Sequence, residues 1–365
     1  MSASSATELQ VSARYEVRKV RVRIGLFYTV LLPALAVSTI AGIAVGSTPL
    51  AWETILQVLG LKILPTGWLD ASSISQADHA IVWLIRVPRV LIAATVGASL
   101  ACAGVVMQGL FRNALAEPVL VGVTPGAVLG AVVIFVSGLA GQSVVALPLA
   151  AMVSALASLA LVYGIATRGG VTPITTLLLA GIATGSLLSA ISGLLISLNI
   201  VNWQVAQEIL FWMMGGLDSR TWAHVWLSVP FVGIGLAAAL FQARDLDLLL
   251  QGEETAASLG LNVEASKRML ILTSAVLTGA SVGVAGTIGF VGLIVPHAVR
   301  LLIGPSHRGL IPASAITGAV FLILCDLAAR TIHPPTEVRL GIITALCGAP
   351  FFLFLLLRRF RETAA

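Results

Sequence analysis

The chain has 365 residues, of which 58% are hydrophobic and only 10% charged, and its mean hydropathy is +1.02. A soluble domain carries about 25% charged residues, so this composition excludes a soluble globule and defines a polytopic membrane protein. The formal charge of +5 is not a nucleic-acid footprint, because the basic residues cluster at the ends of apolar runs, as the positive-inside rule produces.

Residues 1–23 are polar, with Arg14, Arg18, Lys19, Arg21 and Arg23 ahead of the first apolar run. A secretory signal peptide competes for this stretch. The run at 24–45 is longer than the ~7–15 residues of a signal core, so it is read as an uncleaved first span. Residues 46–85 are mixed and contain Trp52, Trp68 and Trp83, a density that suggests helices lying along the membrane interface. Apolar runs follow at 87–110, 119–138, 143–166, 176–199, 223–241, 268–288, 289–303, 311–330 and 338–357.

With the first, these make ten, and the expected fold is all-α with ten transmembrane helices over 24–357, between tails at 1–23 and 358–365. If the N-terminus is cytoplasmic, fifteen basic residues lie inside against six outside, which sets both termini in the cytoplasm.

Gly97-Ala98-Ser99 with Ala103-Gly104 recurs 182 residues later as Gly279-Ala280-Ser281 with Ala285-Gly286, and the same offset takes Arg86 to Arg268 and Gly122 to Gly304. The halves, 24–220 and 221–357, are therefore expected to be inverted repeats, a transporter signature. Chance similarity between two Gly/Ala-rich helices is the competing explanation.

Residues 279–283 also match the hydrolase pattern G-x-S-x-G, which needs a strand-to-helix elbow and a histidine partner. Here the motif falls mid-span, where the same residues make a small-residue packing face. The sequence has no G-x-x-x-x-G-K-[ST] and its five histidines are scattered, so neither an ATP site nor a metal cluster is expected. Cys102, Cys325 and Cys347 all lie in apolar runs and are expected to act as buried small hydrophobes.

Residues 244–267 form a polar island holding seven of the 37 charged residues: Arg244, Asp245, Asp247, Glu253, Glu254, Glu264 and Lys267. Within it 253–259 is expected to be a short helix. Glu253 and Glu254 suit the positive end of the dipole, Ala256 and Ala257 favour the helix, and Gly260 is placed to end it. An ordered loop of this kind either touches a partner or is a capped connector between spans.

Arg86-Val87-Pro88-Arg89 stands at the outer end of the second span, and Asp326 and Arg330 form an i,i+4 pair at the outer end of the ninth. Snorkelling to the interface competes with a functional role for all three arginines. On the inner side, residues 112–118 (Arg112-Asn113-Ala114-Leu115-Ala116-Glu117-Pro118) and 169–176 interrupt the runs with Gly and Pro, as broken helices lining a passage do and as ordinary turns do equally.

These stretches resemble the permease subunits of bacterial ATP-binding-cassette importers for iron-siderophores, haem and cobalamin, the type II importers with ten spans per subunit. The matching residues are 86–89, 108–122, Trp212-Met213-Met214-Gly215-Gly216-Leu217, 252–260, 286–300 and 341–352. The family usually has proline where Ala114 and Arg339 stand. The segment Phe211-Trp212-Met213-Met214-Gly215-Gly216 is most similar to the haem permeases.

The resemblance implies a homodimer in the bacterial inner membrane, in contact with lipid, with two copies of a separate ATPase and a periplasmic haem- or siderophore-binding protein. ATP and magnesium belong to the ATPase, and the chain is expected to hold no cofactor or metal and no nucleic acid. Arg86, Arg89 and Arg330 are expected to dock the binding protein. Gly252, Glu253, Glu254, Ala257, Leu259 and Gly260 are expected to couple to the ATPase, with Leu259 and Leu261 as anchors and the acidic residues at the rim. Asn113, Leu115, Ile174 and Thr175 are expected to form the cytoplasmic gate. An ion-coupled secondary transporter is the rival; it calls for mid-span acidic residues, for which Asp326 is the clear candidate and already has Arg330.

Overall fold

The computed structural model describes residues 3–46, 48–64, 74–199, 201–334 and 336–364, and among these it is helical almost throughout. The chain opens on α1 (Ala3–Ala44) and closes on α15 (Leu340–Ala364). Both expected tails, 3–23 and 358–364, are therefore helical and continuous with the neighbouring spans. Neither contains a glycine or proline to stop a helix.

The interface segment contains α2 (Trp52–Ile63) and α3 (Gln76–His79), the latter capped by the Ser75 hydroxyl, which accepts from the Asp78 amide. Trp68 lies outside the described residues. A π-helical turn at Ala80–Arg86 joins α3 to α4 (Val87–Leu110), so the second span begins earlier than its apolar run: Gln76–Leu110 is one apolar helix of 35 residues. Trp83 in that turn packs against Trp222, ring centroids 4.9 Å apart, and its carbonyl accepts from the Trp222 indole.

Beyond a 3₁₀ turn at Pro118–Val121 come α5 (Val123–Val136), α6 (Ala146–Ala166), α7 (Ile174–Leu198), α8 (Trp203–Met213) and α9 (Trp222–Phe241). Then follow α10 (Ala243–Leu249), α11 (Glu253–Ser258), α12 (Val263–Ala285), α13 (Val291–Ile303) and α14 (His307–Thr331). Among the described residues seven helices are long and apolar enough to cross a membrane, and α5, α13 and the 340–354 part of α15 are shorter apolar helices, making the ten expected.

The helices α4 and α12 form the centre, each with 78% of its apolar window buried, against 28% for α7 at the edge. Their small residues explain this placement. A Cβ on Gly97 would collide with the Gly318 carbonyl of α14, and one on Gly104 with the Gly292 carbonyl of α13, so the helices touch backbone to backbone. The repeated segments thus occupy the two central helices. Gly122 and Gly304, equivalent by the 182-residue offset, both sit at helix boundaries with positive φ, 77° and 95°.

The G-x-S-x-G serine lies in mid-helix, and its hydroxyl donates 2.9 Å to the Leu277 carbonyl, as Ser99 of α4 does at 2.8 Å. That motif is packing. Cys102 and Cys325 are buried as expected, whereas Cys347 is exposed on α15.

Candidate functional site

At one end of the bundle the polar island folds back on itself. The sequence reading missed α10, although Leu246 and Leu249 repeat at helical spacing and are both buried. Gly252 then turns the chain with φ 107°, a conformation that strains any side chain, and α11 begins. It runs to Ser258, with Leu259 as its cap. The Leu261 amide donates to the Ala256 carbonyl at 3.0 Å and the Gly260 amide to Ala257 at 2.9 Å, the Schellman pattern, with Gly260 at φ 87°.

On α11 the small Ala256 is buried, while Glu254, Ala257, Leu259 and Gly260 are exposed. Leu259 presents 60% of its surface. Leu261, the second expected anchor, is instead half-buried against the protein's own core.

The acidic residues of the island stay partly exposed, and four of the five are tied to neighbouring elements. Asp245 accepts from the Ser266 hydroxyl at 2.7 Å, and Asp247 from both the amide and the ring of His307, at 3.0 and 2.6 Å. Burial raises the Asp247 carboxyl, but these bonds from His307 outweigh it and hold it below its ordinary value. Glu253, with 35% of its side chain exposed, places its carboxylate 2.8 Å from the ammonium of Lys267, one turn into α12. Lys267 is 1% exposed.

Two further segments frame this end. In the loop 111–117 the Asn113 side chain accepts from the Leu115 amide at 3.0 Å, a local turn that leaves Leu115 48% exposed. Burial pushes the Glu117 carboxyl in the same loop up to about 7. The second segment is a tight reversal in which Arg168 and Val171 pair across Gly169 and Gly170, at φ 60° and 81°. It leads through buried Thr172 to Ile174, the half-buried first residue of α7, and to exposed Thr175. Both segments are ordinary turns in local geometry.

The other end carries the three arginines, and here burial is the surprise. Arg86, Arg89 and Arg330 are 4%, 8% and 5% exposed. Arg86 donates to the carbonyls of Ile43 and Ala44, at 3.0 and 2.7 Å, and to that of Thr48; Arg330 donates to Gly42 and Val45 at 3.1 and 3.0 Å. Together they cap the C-terminus of α1, where orphan carbonyls and the helix dipole favour cations.

Arg89 is held by Asp326 at 2.9 Å and by Glu337 at 2.7 Å, and Asp326 lies 3.1 Å from Arg330. The expected Asp326–Arg330 pair is present, and Asp326 serves Arg89 as well. Asp218 completes the cluster, 3.8 Å from Arg89 and paired with Arg339. Burial raises the Glu337 carboxyl, yet the hydrogen bonds from Arg89 and Asp218 bring it below the ordinary range. Asp218 is pushed up, by burial first and then by Glu337.

Next to this arginine cluster three irregular segments interlock, Gly216 lying beside Asp218 and Arg339. The Gly216 amide donates to the Ala285 carbonyl where α12 ends, and the Leu340 and Gly341 amides at the start of α15 donate to Gly215 and Met214. Irregular backbone in an apolar bundle must be satisfied internally, and this one is. The segments line an open, mostly apolar groove of about 560 Å³ bordered by Met213, Met214, Thr287, Ile342, Leu346 and Ala349.

Ten apolar helices among the described residues, with an ordered charged knob at one end and an open apolar groove beside irregular segments, make a multi-pass membrane protein. The profile of the FecCD transport family matches residues 34–358, and the chain belongs to that family. It is 46% identical over 292 residues to the cobalamin import system permease protein BtuC of Halobacterium salinarum, covering 80% of this chain and 77% of the relative. It is 41% identical to the hemin transport system permease protein HmuU of Yersinia pestis, over 76% of this chain and 84% of that one. Among solved structures it superposes on a metal-chelate type ABC transporter in an inward-facing conformation with TM-score 0.79 and 28% identity, covering 92% of this chain and 99% of the other. Its relatives are transport subunits, so the chain is a transport component and not an enzyme.

Proposed function

We propose that this chain is the permease subunit of an ATP-driven importer, working as a homodimer in the bacterial inner membrane and carrying haem toward the cytoplasm. The α11 end faces the cytoplasm in this reading, as the basic-residue balance favours, and docks two copies of an ATPase through Leu259 and the exposed face around it. ATP and magnesium sit on those subunits, and the chain itself holds no cofactor. Asn113, Leu115, Ile174 and Thr175 form the gate at that end, while the arginine end receives a periplasmic binding protein.

The observation that carries the haem reading is the open apolar groove of about 560 Å³ lined by Met213 and Met214. A broad macrocycle is held mainly by apolar walls with few polar hooks. Cobalamin is the second reading, favoured by the 46% identity to a cobalamin permease. Vesicles containing the permease and its ATPase, supplied with ATP and the binding protein, should accumulate haem. Accumulation of cobalamin or a ferric siderophore with no haem uptake would overturn the cargo while keeping the importer.

A further inference from the structure

We propose that Lys267 is a positioning residue that joins α11 mechanically to the loop before α7. This rests on the reading of α11 as the ATPase-docking helix and of that loop as part of the gate. The ε-ammonium has three donors and no acceptor capacity, and all three find partners in three different segments. Glu253 Oε2 of α11 lies at 2.8 Å, Glu264 Oε1 on the first turn of α12 at 2.8 Å, and the Thr172 carbonyl at 3.0 Å.

The link to the loop is doubled. The other oxygen of Glu264 accepts from the Thr172 amide at 3.0 Å, so Lys267 holds the carbonyl of Thr172 and Glu264 holds its amide. Thr172 is 1% exposed, and its hydroxyl is engaged with that of Thr167 at 2.9 Å. Two residues later Ile174 begins α7. A displacement of α11 that left the loop in place would cost the buried ammonium one of its two carboxylates, Glu253, while Glu264 and the Thr172 carbonyl kept hold of it, so movement of α11 pulls on the loop through Lys267.

A lysine kept only to fill the core needs one buried partner. Here the Lys267 side chain is 2% exposed and reaches a carboxylate on the surface helix that is itself 35% exposed. The joint thus runs from the water-facing knob into the protein.

The test places a cysteine at Thr175 in a permease whose Cys102, Cys325 and Cys347 are replaced by serine, assembles it with its ATPase, and measures maleimide labelling rates without nucleotide and with ATP plus vanadate. The unaltered joint should change the rate about fivefold or more between states, the low end of ordinary allosteric coupling. Lys267→Met should remove that dependence, and Lys267→Arg, which keeps the charge and donors, should restore part of it. Glu253→Ala cuts only the partly exposed α11 arm, leaves Lys267 paired with Glu264 and Thr172, and should also lose the dependence should Lys267→Met not assemble.

A structural lysine would lower assembly in both states without changing their ratio. State-dependent labelling persisting in Lys267→Met or Glu253→Ala overturns the joint alone. No state dependence in the protein with the joint intact overturns the gate reading, and the joint with it.

Discussion

Arg89 and Glu337 are joined by two hydrogen bonds, 3.0 Å from Nη1 and 2.7 Å from Nη2, so the fork of the guanidinium is closed by a carboxylate of the same chain. The remaining edge of Arg89 is taken by Asp326. If a binding protein docks here as proposed, its acidic residue has to displace Glu337 before it can pair with Arg89. Glu337 is the exchangeable partner, its side chain 27% exposed against 1% for Asp326.

Removing this internal competitor should favour docking. Partly exposed pairs are worth about 0.2–1 kcal/mol, so Glu337→Gln should tighten binding-protein affinity by up to about fivefold. A titration of the binding protein against the reconstituted permease at fixed salt measures this. Weaker affinity would make Glu337 part of the docking surface instead of its gatekeeper.

The capping role of Arg86 leads to a different expectation. Loss of its guanidinium strands buried carbonyls at the end of α1, and each such group costs about 1–3 kcal/mol. Arg86→Leu should lower the thermal unfolding midpoint in detergent by several degrees. Reversal of Arg86 and Arg89 to Glu would also set new carboxylates against Asp326 and the α1 carbonyls, so lost affinity in that variant reports folding as well as docking. An unchanged midpoint in Arg86→Leu would remove the capping role.

What the sequence disclosed and what it hid follow from the range of the interactions. The ten apolar segments, the helix-ending Gly260 and the Asp326–Arg330 pair are local patterns, visible at spacings of one to a few turns. The Glu264–Lys267 pair, three residues apart, was equally local, yet nothing near it named Thr172 as its third party, 95 residues from Lys267. Arg89 meets Asp326 across 237 residues, which is why its burial was not foreseen. Charge at the end of an apolar run reads the same whether it faces water or caps a neighbouring helix.

Leu259 offers the cleanest test of the α11 surface. It is 60% exposed and sits at the cap, so replacing it should disturb folding by no more than about 0.5 kcal/mol, the usual range for surface changes. Leu259→Asp should abolish substrate-stimulated ATP hydrolysis in the assembled complex while the detergent unfolding midpoint stays put. Stimulation at the original level, with assembly intact, would rule out docking through this residue.

Glu117 yields a prediction in pH. Burial raises its carboxyl to about 7 in the folded protein, against about 4.3 for a free glutamate. A group whose folded pKa is raised favours the folded state fully below its unfolded pKa, and that contribution is lost as pH rises through the folded one. The window is therefore between roughly pH 4 and 7, and the loss amounts to at most about 4 kcal/mol. Glu117→Gln holds the side chain neutral throughout. Its unfolding midpoint should lie close to that of the unaltered protein at pH 4 and exceed it at pH 8, the gap opening across the window. The loop that Glu117 shares with Asn113 and Leu115 would then also carry a charge that depends on pH near neutrality, and labelling of a cysteine at Leu115 should change between pH 6 and pH 8 more in the Glu117 protein than in the Gln variant, after correction for thiol ionisation. A gap between the two midpoints that stays constant from pH 5 to pH 8 would mean that Glu117 is solvated and titrates like an ordinary carboxylate.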